Sequence, residues 1–228
     1  MESFLEINNL PESHKTKVIT SGRDQTVGIA FSLGLLLRAG DIICLDGDLG
    51  AGKTAFTYGI AQALGIRGVI SSPTFTILIE HTKHEIHDII NEEIPSCKIT
   101  DITQNLDINT NNKTDTKTNT KTNIIAENLF RKDKLPLYHF DAYRLSGADE
   151  FYDLGFDEYF SYNGVCVIEW AHKIYQAIPP SAIKITIQQG SNEISDQRTL
   201  IFSFPKGDCR AELFSKNISE SGYPMNSE

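Results

Sequence analysis

The sequence predicts a three-layer α/β fold with a mainly parallel central sheet and antiparallel edge strands. Two observations predict it. Short apolar runs that end in an acid, Asp41-Ile42-Ile43-Cys44-Leu45-Asp46 and Val165-Cys166-Val167-Ile168-Glu169, read as strands buried on both faces. The first of them is followed at once by a glycine-rich turn and then by apolar residues at helical spacing, which is the strand, loop and helix of a parallel α/β unit.

That turn is Gly47-Asp48-Leu49-Gly50-Ala51-Gly52-Lys53-Thr54, which fits G-x-x-x-x-G-K-[ST], the phosphate-binding P-loop, so the fold class is that of a P-loop NTPase-like domain. Its glycines permit backbone angles that point successive N–H groups at phosphate, and the helix that follows adds partial positive charge at its N-terminus. Asp48, Leu49, Gly50, Ala51, Gly52, Lys53, Thr54 and Ala55 are therefore the candidate phosphate-binding residues. Lys53 can reach the β- and γ-phosphates, and Thr54 can offer its hydroxyl to Mg²⁺.

The other elements follow in order. Lys17–Ser21 reads as a first strand and Asp24–Arg38 as a well-buried helix stopped by Gly40. Ala55–Leu64 is the P-loop helix, with Gly65 as its stop. Thr74–Ile79 is β-branched and aromatic and reads as a strand. Residues 81–135 break the pattern. From Asn105 to Asn123, 12 of 19 residues are Asn or Thr, too polar to offset the entropy of ordering, so the stretch reads as a largely disordered insertion with short helices near Glu85–Ile90 and Ile124–Phe130. Asn112-Lys113-Thr114-Asp115 within it spells N-K-x-D, a guanine-recognition pattern, but low-complexity composition explains the match, and the chain has no D-x-x-G. Leu137–Asp141 is a strand. Asp149–Leu154 and Phe156–Phe160 read as short helices around Gly155. Ile183–Ile187 and Thr199–Phe204 alternate like exposed antiparallel strands, and the polar residues 205–228 read as a loose tail. Residues 1–204, less the insertion, thus form one expected domain.

The 228 residues carry a net charge of −9, a poor balance for gripping a nucleic-acid backbone directly, although a partner could hold the nucleic acid. The four cysteines show no metal-ligand spacing. No signal-peptide pattern and no run of 18 apolar residues occurs, so the expected location is the cytoplasm, away from any membrane.

A P-loop needs an acid at a neighbouring strand end for Mg²⁺. Asp141 and Glu169 both qualify. Glu169 follows the cleaner apolar run and is the favoured metal partner beside Thr54. His139 shares a strand face with Asp141, and structural and functional readings of it stay open.

Taken together with Ser72-Pro73-Thr74-Phe75-Thr76, His139-Phe140-Asp141-Ala142-Tyr143-Arg144-Leu145 and Glu169-Trp170, the P-loop resembles the TsaE family, in that order along the chain. The resemblance implies a small ATPase of bacterial tRNA threonylcarbamoyladenosine biosynthesis that uses ATP and Mg²⁺. It implies Thr54 and Glu169 as metal ligands, and Lys53, Asp141 and Thr74 as the catalytic set. Thr74 would lie on a switch-like loop near the γ-phosphate, and Asp141 would position water or metal. Trp170 would lie near the nucleotide, and Arg198 would contact it. The implied partner is a TsaD–TsaB pair, through which tRNA is met indirectly. The chain departs from the family's pattern in the insertion and in Ala171-His172, where the family has Pro and an acid. A small-molecule kinase and a nucleotide-regulated binding module remain alternatives. The kinase is disfavoured by the lack of an Arg-rich lid.

Overall fold

The computed structural model describes residues 14–82, 135–190 and 196–223, and the backbone of 225–227. Almost all of the expected insertion, including its two short helices and the N-K-x-D stretch, lies outside the described residues.

Among the described residues, eight strands form one sheet: β1 (His14–Thr20), β2 (Ile42–Asp46), β3 (Leu78–His81), β4 (Leu137–Asp141), β5 (Val165–Glu169), β6 (Ile183–Gln189), β7 (Arg198–Phe204) and β8 (Met225–Ser227). Their order is β3-β4-β5-β2-β6-β7-β1-β8. The centre, β4-β5-β2-β6, is parallel, and the flanking pairs are antiparallel. β6 and β7 pair antiparallel, and β6 also lies parallel to β2, so it joins the two regimes.

Alternation along the central strands sorts their side chains to two faces. Ile43, Leu45, Val165, Val167, Ile183 and Ile185 pack under α1 (Arg23–Gly34), α2 (Lys53–Ala63) and the C-terminal helix. Ile42, Cys44, Tyr138, Phe140, Cys166 and Ile168 face the other way. They meet α3 (Ala148–Asp153) and two 3-10 helices, Phe156–Ser161 and Ala171–Ala177. Aromatic rings fill this second layer, with Phe140 5.5 Å from Phe156 and 5.8 Å from Phe151 between centroids.

The helices α1 and α2 approach closely because both carry glycine at the crossing. A Cβ on Gly34 would come within 2.5 Å of Ala63 Cβ, and one on Gly59 would strike Val27 O and Ala30 Cβ. Helix propensity alone disfavours Gly59, so its position is set by this contact.

Three expectations are corrected. The first helix ends at Gly34 rather than Arg38, because Leu36 N donates to Leu33 O and Leu37 N to Gly34 O, tightening the last turn. Leu35–Leu37 remain buried there. The strand expected at Thr74–Ile79 is a turn up to Ile77, with Thr76 N and Ile77 N both donating to Pro73 O and Ile77 at φ 67°. β3 starts only at Leu78 because the backbone N–H groups of Thr76 and Ile77 are spent on this turn, which the Ser72 and Thr74 hydroxyls tie to Asp141.

The third correction is the tail. Arg210–Glu220 is a helix, α4, and Met225–Ser227 pairs with β1. Ala211, Phe214 and Ile218 recur at helical spacing on one buried face, with the Phe214 ring 4.6 Å from that of Phe202. Polar residues on the other face hide this stripe in the composition. Arg210 fixes the helix start: its guanidinium pairs with Asp208 and, at 2.5 Å, with Asp41 at the foot of β2. Burial alone would raise the Asp208 carboxyl, but the bonds from Arg210 outweigh it and hold that carboxyl below its usual range. No helix among the described residues is long and apolar enough to cross a membrane.

Phe214→Ala should cost about 3–5 kcal/mol of unfolding free energy in urea, the range for deleting a fully buried Phe; an unmoved midpoint would mean the tail does not pack. Gly59→Ala should destabilise by about 1–2 kcal/mol despite adding a better helix former, since overpacking outweighs propensity. A rise in the melting temperature of that variant would contradict the close crossing.

Candidate functional site

The carboxyl ends of β2, β4 and β5 lie side by side, as their parallel registers require: Leu45 is level with Glu169, and Asp141 with Glu169. Residues at these registers share the α2 face of the sheet. The last turn of that face is therefore acidic, and the N-terminus of α2 stands over it.

The loop from Gly47 to Gly52 joins β2 to α2. At Gly47 φ is 150° and an added Cβ would collide with Ile187 O of β6, so only glycine lets the loop leave β2 here. Gly50 and Gly52 also have positive φ, at 77° and 109°. Gly52 precedes α2 and brings no capping side chain, so the first N–H groups of the helix are not met by one. Asp48 O bonds Ala51 N across the loop, and Leu49 extends its side chain into solvent at 86% exposure. Ala55 lies in the first turn of α2, half-buried.

Lys53 and Thr54 open α2 and point at the strand ends. The Thr54 hydroxyl donates to Glu169 Oε1 at 3.0 Å. The same oxygen is 2.9 Å from His139 Nε2, and both His139 and Glu169 are buried. The imidazole left open by the sequence is thus a direct partner of the acid. Lys53 Nζ donates to Gly47 O at 2.8 Å and Asp48 O at 2.9 Å, and lies 3.8 Å from the centroid of the Trp170 ring. Burial lowers the pKa of this ammonium below the ordinary lysine value, against the pull of Glu169, Asp141, Asp46 and Asp48.

Asp141 is committed on both oxygens. Oδ2 accepts from Ser72 Oγ and Thr74 Oγ1, each at 2.6 Å, and Oδ1 caps a 3-10 turn, Ala142–Arg144, by accepting from Tyr143 N. It ties the Ser72–Phe75 loop to the end of β4. Phe75 itself is exposed, with the Arg144 guanidinium over its ring at 4.4 Å.

The structure therefore brings together Lys53, Thr54, Glu169 and Trp170, and sets Asp141 with Thr74 beside them. Arg198 reaches the P-loop from its other flank. It starts β7, and its Nε donates to Ala51 O at 3.1 Å, so it braces the loop from the β6–β7 side, as Gln189 does through Leu49 O. Sequence reasoning missed Gln189, and it missed a second pair. Asp46, the last residue of β2, accepts from both His172 N and His172 Nδ1, at 3.0 and 2.8 Å. The signals for it were an acid at the end of a parallel strand, next to the P-loop, and His172 standing where the family pattern differs.

The donor set fits Mg²⁺ and a polyphosphate. Four carboxylates, Asp46, Asp48, Asp141 and Glu169, act on one lysine ammonium, a balance that a divalent cation would offset. No group of three or more His, Cys, Asp or Glu residues among the described residues forms a metal cage. Mg²⁺ does not ask for one, since it keeps several waters and takes one or two protein oxygens.

Comparison with known proteins follows the same line. The sequence pattern of one family, described as threonylcarbamoyl adenosine biosynthesis protein TsaE, matches residues 20–91 and 99–200. The chain is 33% identical over 184 residues to a tRNA threonylcarbamoyladenosine biosynthesis protein TsaE of Bacillus subtilis, covering 81% of this chain and 82% of that one. It is 31% identical to the protein of that name from Streptomyces coelicolor, over 72% of this chain and 80% of the relative. Among solved structures, the crystal structure of YdiB from the same Bacillus species superposes with a TM-score of 0.59 at 27% identity, over 93% of this chain and 99% of that one. With the P-loop, the strand-end acids and the Ser72–Phe75 loop all inside the matched region, the chain belongs to the TsaE family.

Proposed function

We propose that this protein is a Mg²⁺-dependent ATPase that serves tRNA threonylcarbamoyladenosine biosynthesis together with a TsaD–TsaB pair. The observation that carries the reading is the hydrogen bond from Thr54, in the first turn of the P-loop helix, to Glu169 at the end of the adjacent parallel strand, with the Lys53 ammonium beside them. The pathway follows from family membership, and the relatives' names state it.

Thr54 and Glu169 would hold Mg²⁺, and the ion, when bound, neutralises charge on the phosphates. The chain's own groups do the rest. The N–H groups of the loop and the start of α2 bind phosphate oxygens, aided by the helix dipole. Lys53 exchanges its bonds to Gly47 O and Asp48 O for bonds to the β- and γ-phosphates and stabilises the charge that grows there as the terminal bond breaks. Asp141 holds Ser72 and Thr74 at the edge of the site, so the Thr74 hydroxyl is positioned for the γ-phosphate or the attacking water. Arg198 acts on the loop's far flank by fixing Ala51. The exposed Leu49 of the P-loop and Phe75 of the Ser72–Phe75 loop suit contact with the partner pair.

ATP turnover measured with and without the TsaD–TsaB pair tests the reading: stimulation by the pair supports it, and its absence with every active partner preparation sinks it. Lys53→Ala should lower partner-stimulated turnover by about a hundredfold or more, the scale for losing one charge-stabilising donor; unchanged turnover would refute the site. Glu169→Gln should weaken nucleotide affinity only when Mg²⁺ is present. Asp141→Asn should leave affinity near wild type and depress hydrolysis. Affinities titrated with and without Mg²⁺ separate the two, and the opposite pattern would reverse the roles.

A further inference from the structure

Trp170 adopts φ 59° and ψ 37°, the left-handed region that bulky side chains rarely occupy. Such a residue persists only where its surroundings over-determine it. Here the end of β2 does so. Trp170 N donates to Leu45 O at 2.9 Å, and the next residue of β2, Asp46, receives both the backbone N and the ring Nδ1 of His172 on one oxygen, Oδ1. The turn after β5 is thus clipped to the two residues from which the P-loop springs. An Asp carboxylate accepts only, so the His172 tautomer in this contact carries its hydrogen on Nδ1.

The clip has a consequence at the lysine. The indole face lies 3.8 Å from Lys53 Nζ, a cation–π contact, while the ammonium's other bonds go back to the loop carbonyls of Gly47 and Asp48. Trp170 is flanked by the rings of Tyr143 at 5.1 Å and His172 at 5.8 Å. His172 touches neither the loop nor Lys53 in any of these contacts, and its side chain is half exposed.

We infer that the Asp46–His172 clasp positions the nucleotide site: it holds Trp170 in its left-handed turn, so that the indole keeps the Lys53 ammonium at the loop while phosphate oxygens replace the carbonyls of Gly47 and Asp48. This rests on the ATP-binding reading of the site. His172 is a positioning residue and acts through Trp170. Without its ring N–H, Asp46 keeps only a backbone donor at a partly wet position, the turn relaxes toward extended backbone, and the indole leaves the lysine. A half-exposed pair of this kind contributes little to global stability, which separates its positioning role from a structural one.

Trp170 is the only tryptophan in the chain, so its fluorescence reports the seat directly. We would compare wild type, His172→Ala and His172→Asn, whose amide can replace the Nδ1–H. Without nucleotide, His172→Ala should emit at longer wavelength than wild type, and His172→Asn should emit as wild type does. On adding Mg²⁺ and a non-hydrolysable ATP analogue, wild type and His172→Asn should change emission. His172→Ala should respond less and bind about threefold to tenfold more weakly, the cost of ordering on binding a lysine side chain that is no longer seated beforehand. The three thermal midpoints should stay together. Wild-type emission and affinity in His172→Ala would overturn the clasp, as would loss of its cooperative melt, which would make His172 a fold element. Asp46→Ala should reproduce the emission shift from the other side of the pair. A wild type that neither binds the analogue nor changes emission would sink the ATP reading instead, and the nucleotide-free spectra would still judge the clasp.

Discussion

The bond between Thr54 and Glu169 joins the helix N-terminus and the strand end that define the candidate site. It exists because β2 and β5 are adjacent and parallel, so that the loop leaving β2 and the acid ending β5 arrive at the same level. Everything around it keeps that level fixed. Ile43 and Leu45 anchor β2 under α2, the glycine contacts hold α2 against α1, and Arg210 ties the foot of β2 to the C-terminal helix.

Placing ionisable groups where water is scarce is costly unless each finds a partner. Glu169 meets Thr54 and His139, Asp141 meets Ser72, Thr74 and Tyr143 N, and Lys53 meets two carbonyls and an indole. The partners of the acids are neutral hydroxyls, an imidazole and a backbone N–H. They orient the carboxylates at this edge of the sheet.

Local signals made the centre of the fold legible. An apolar run ended by an acid gave β2, β4 and β5 within a residue of their observed bounds, and the P-loop supplied the turn between β2 and α2. What escaped was held by distant partners. Residues 74–77 have strand-like composition, yet they turn back on Pro73 O, and Asp141, nearly 70 positions later, takes the hydroxyls of Ser72 and Thr74. His172 stood out only as a departure from a family pattern, because its partner Asp46 is 126 positions away. The C-terminal helix was hidden by averaging: Phe214 and Ile218 sit among polar neighbours, and composition says nothing about which face a residue takes.

The order of the strands bears on how the chain comes to be built. β1 is the earliest strand described, yet it lies between β7 and β8, pairing residues 14–20 with 198–204 and 225–227. A ribosome delivering the chain in order would release β1 and α1 long before either partner of β1 exists. Val18 would wait for the last quarter of the sequence, with all of residues 83–134 emerging in between, although α1 can already close on α2. Such long-range closure slows folding and prolongs the exposure of an unpaired edge. For this protein, the late-made C-terminal elements set the moment at which the earliest strand is protected.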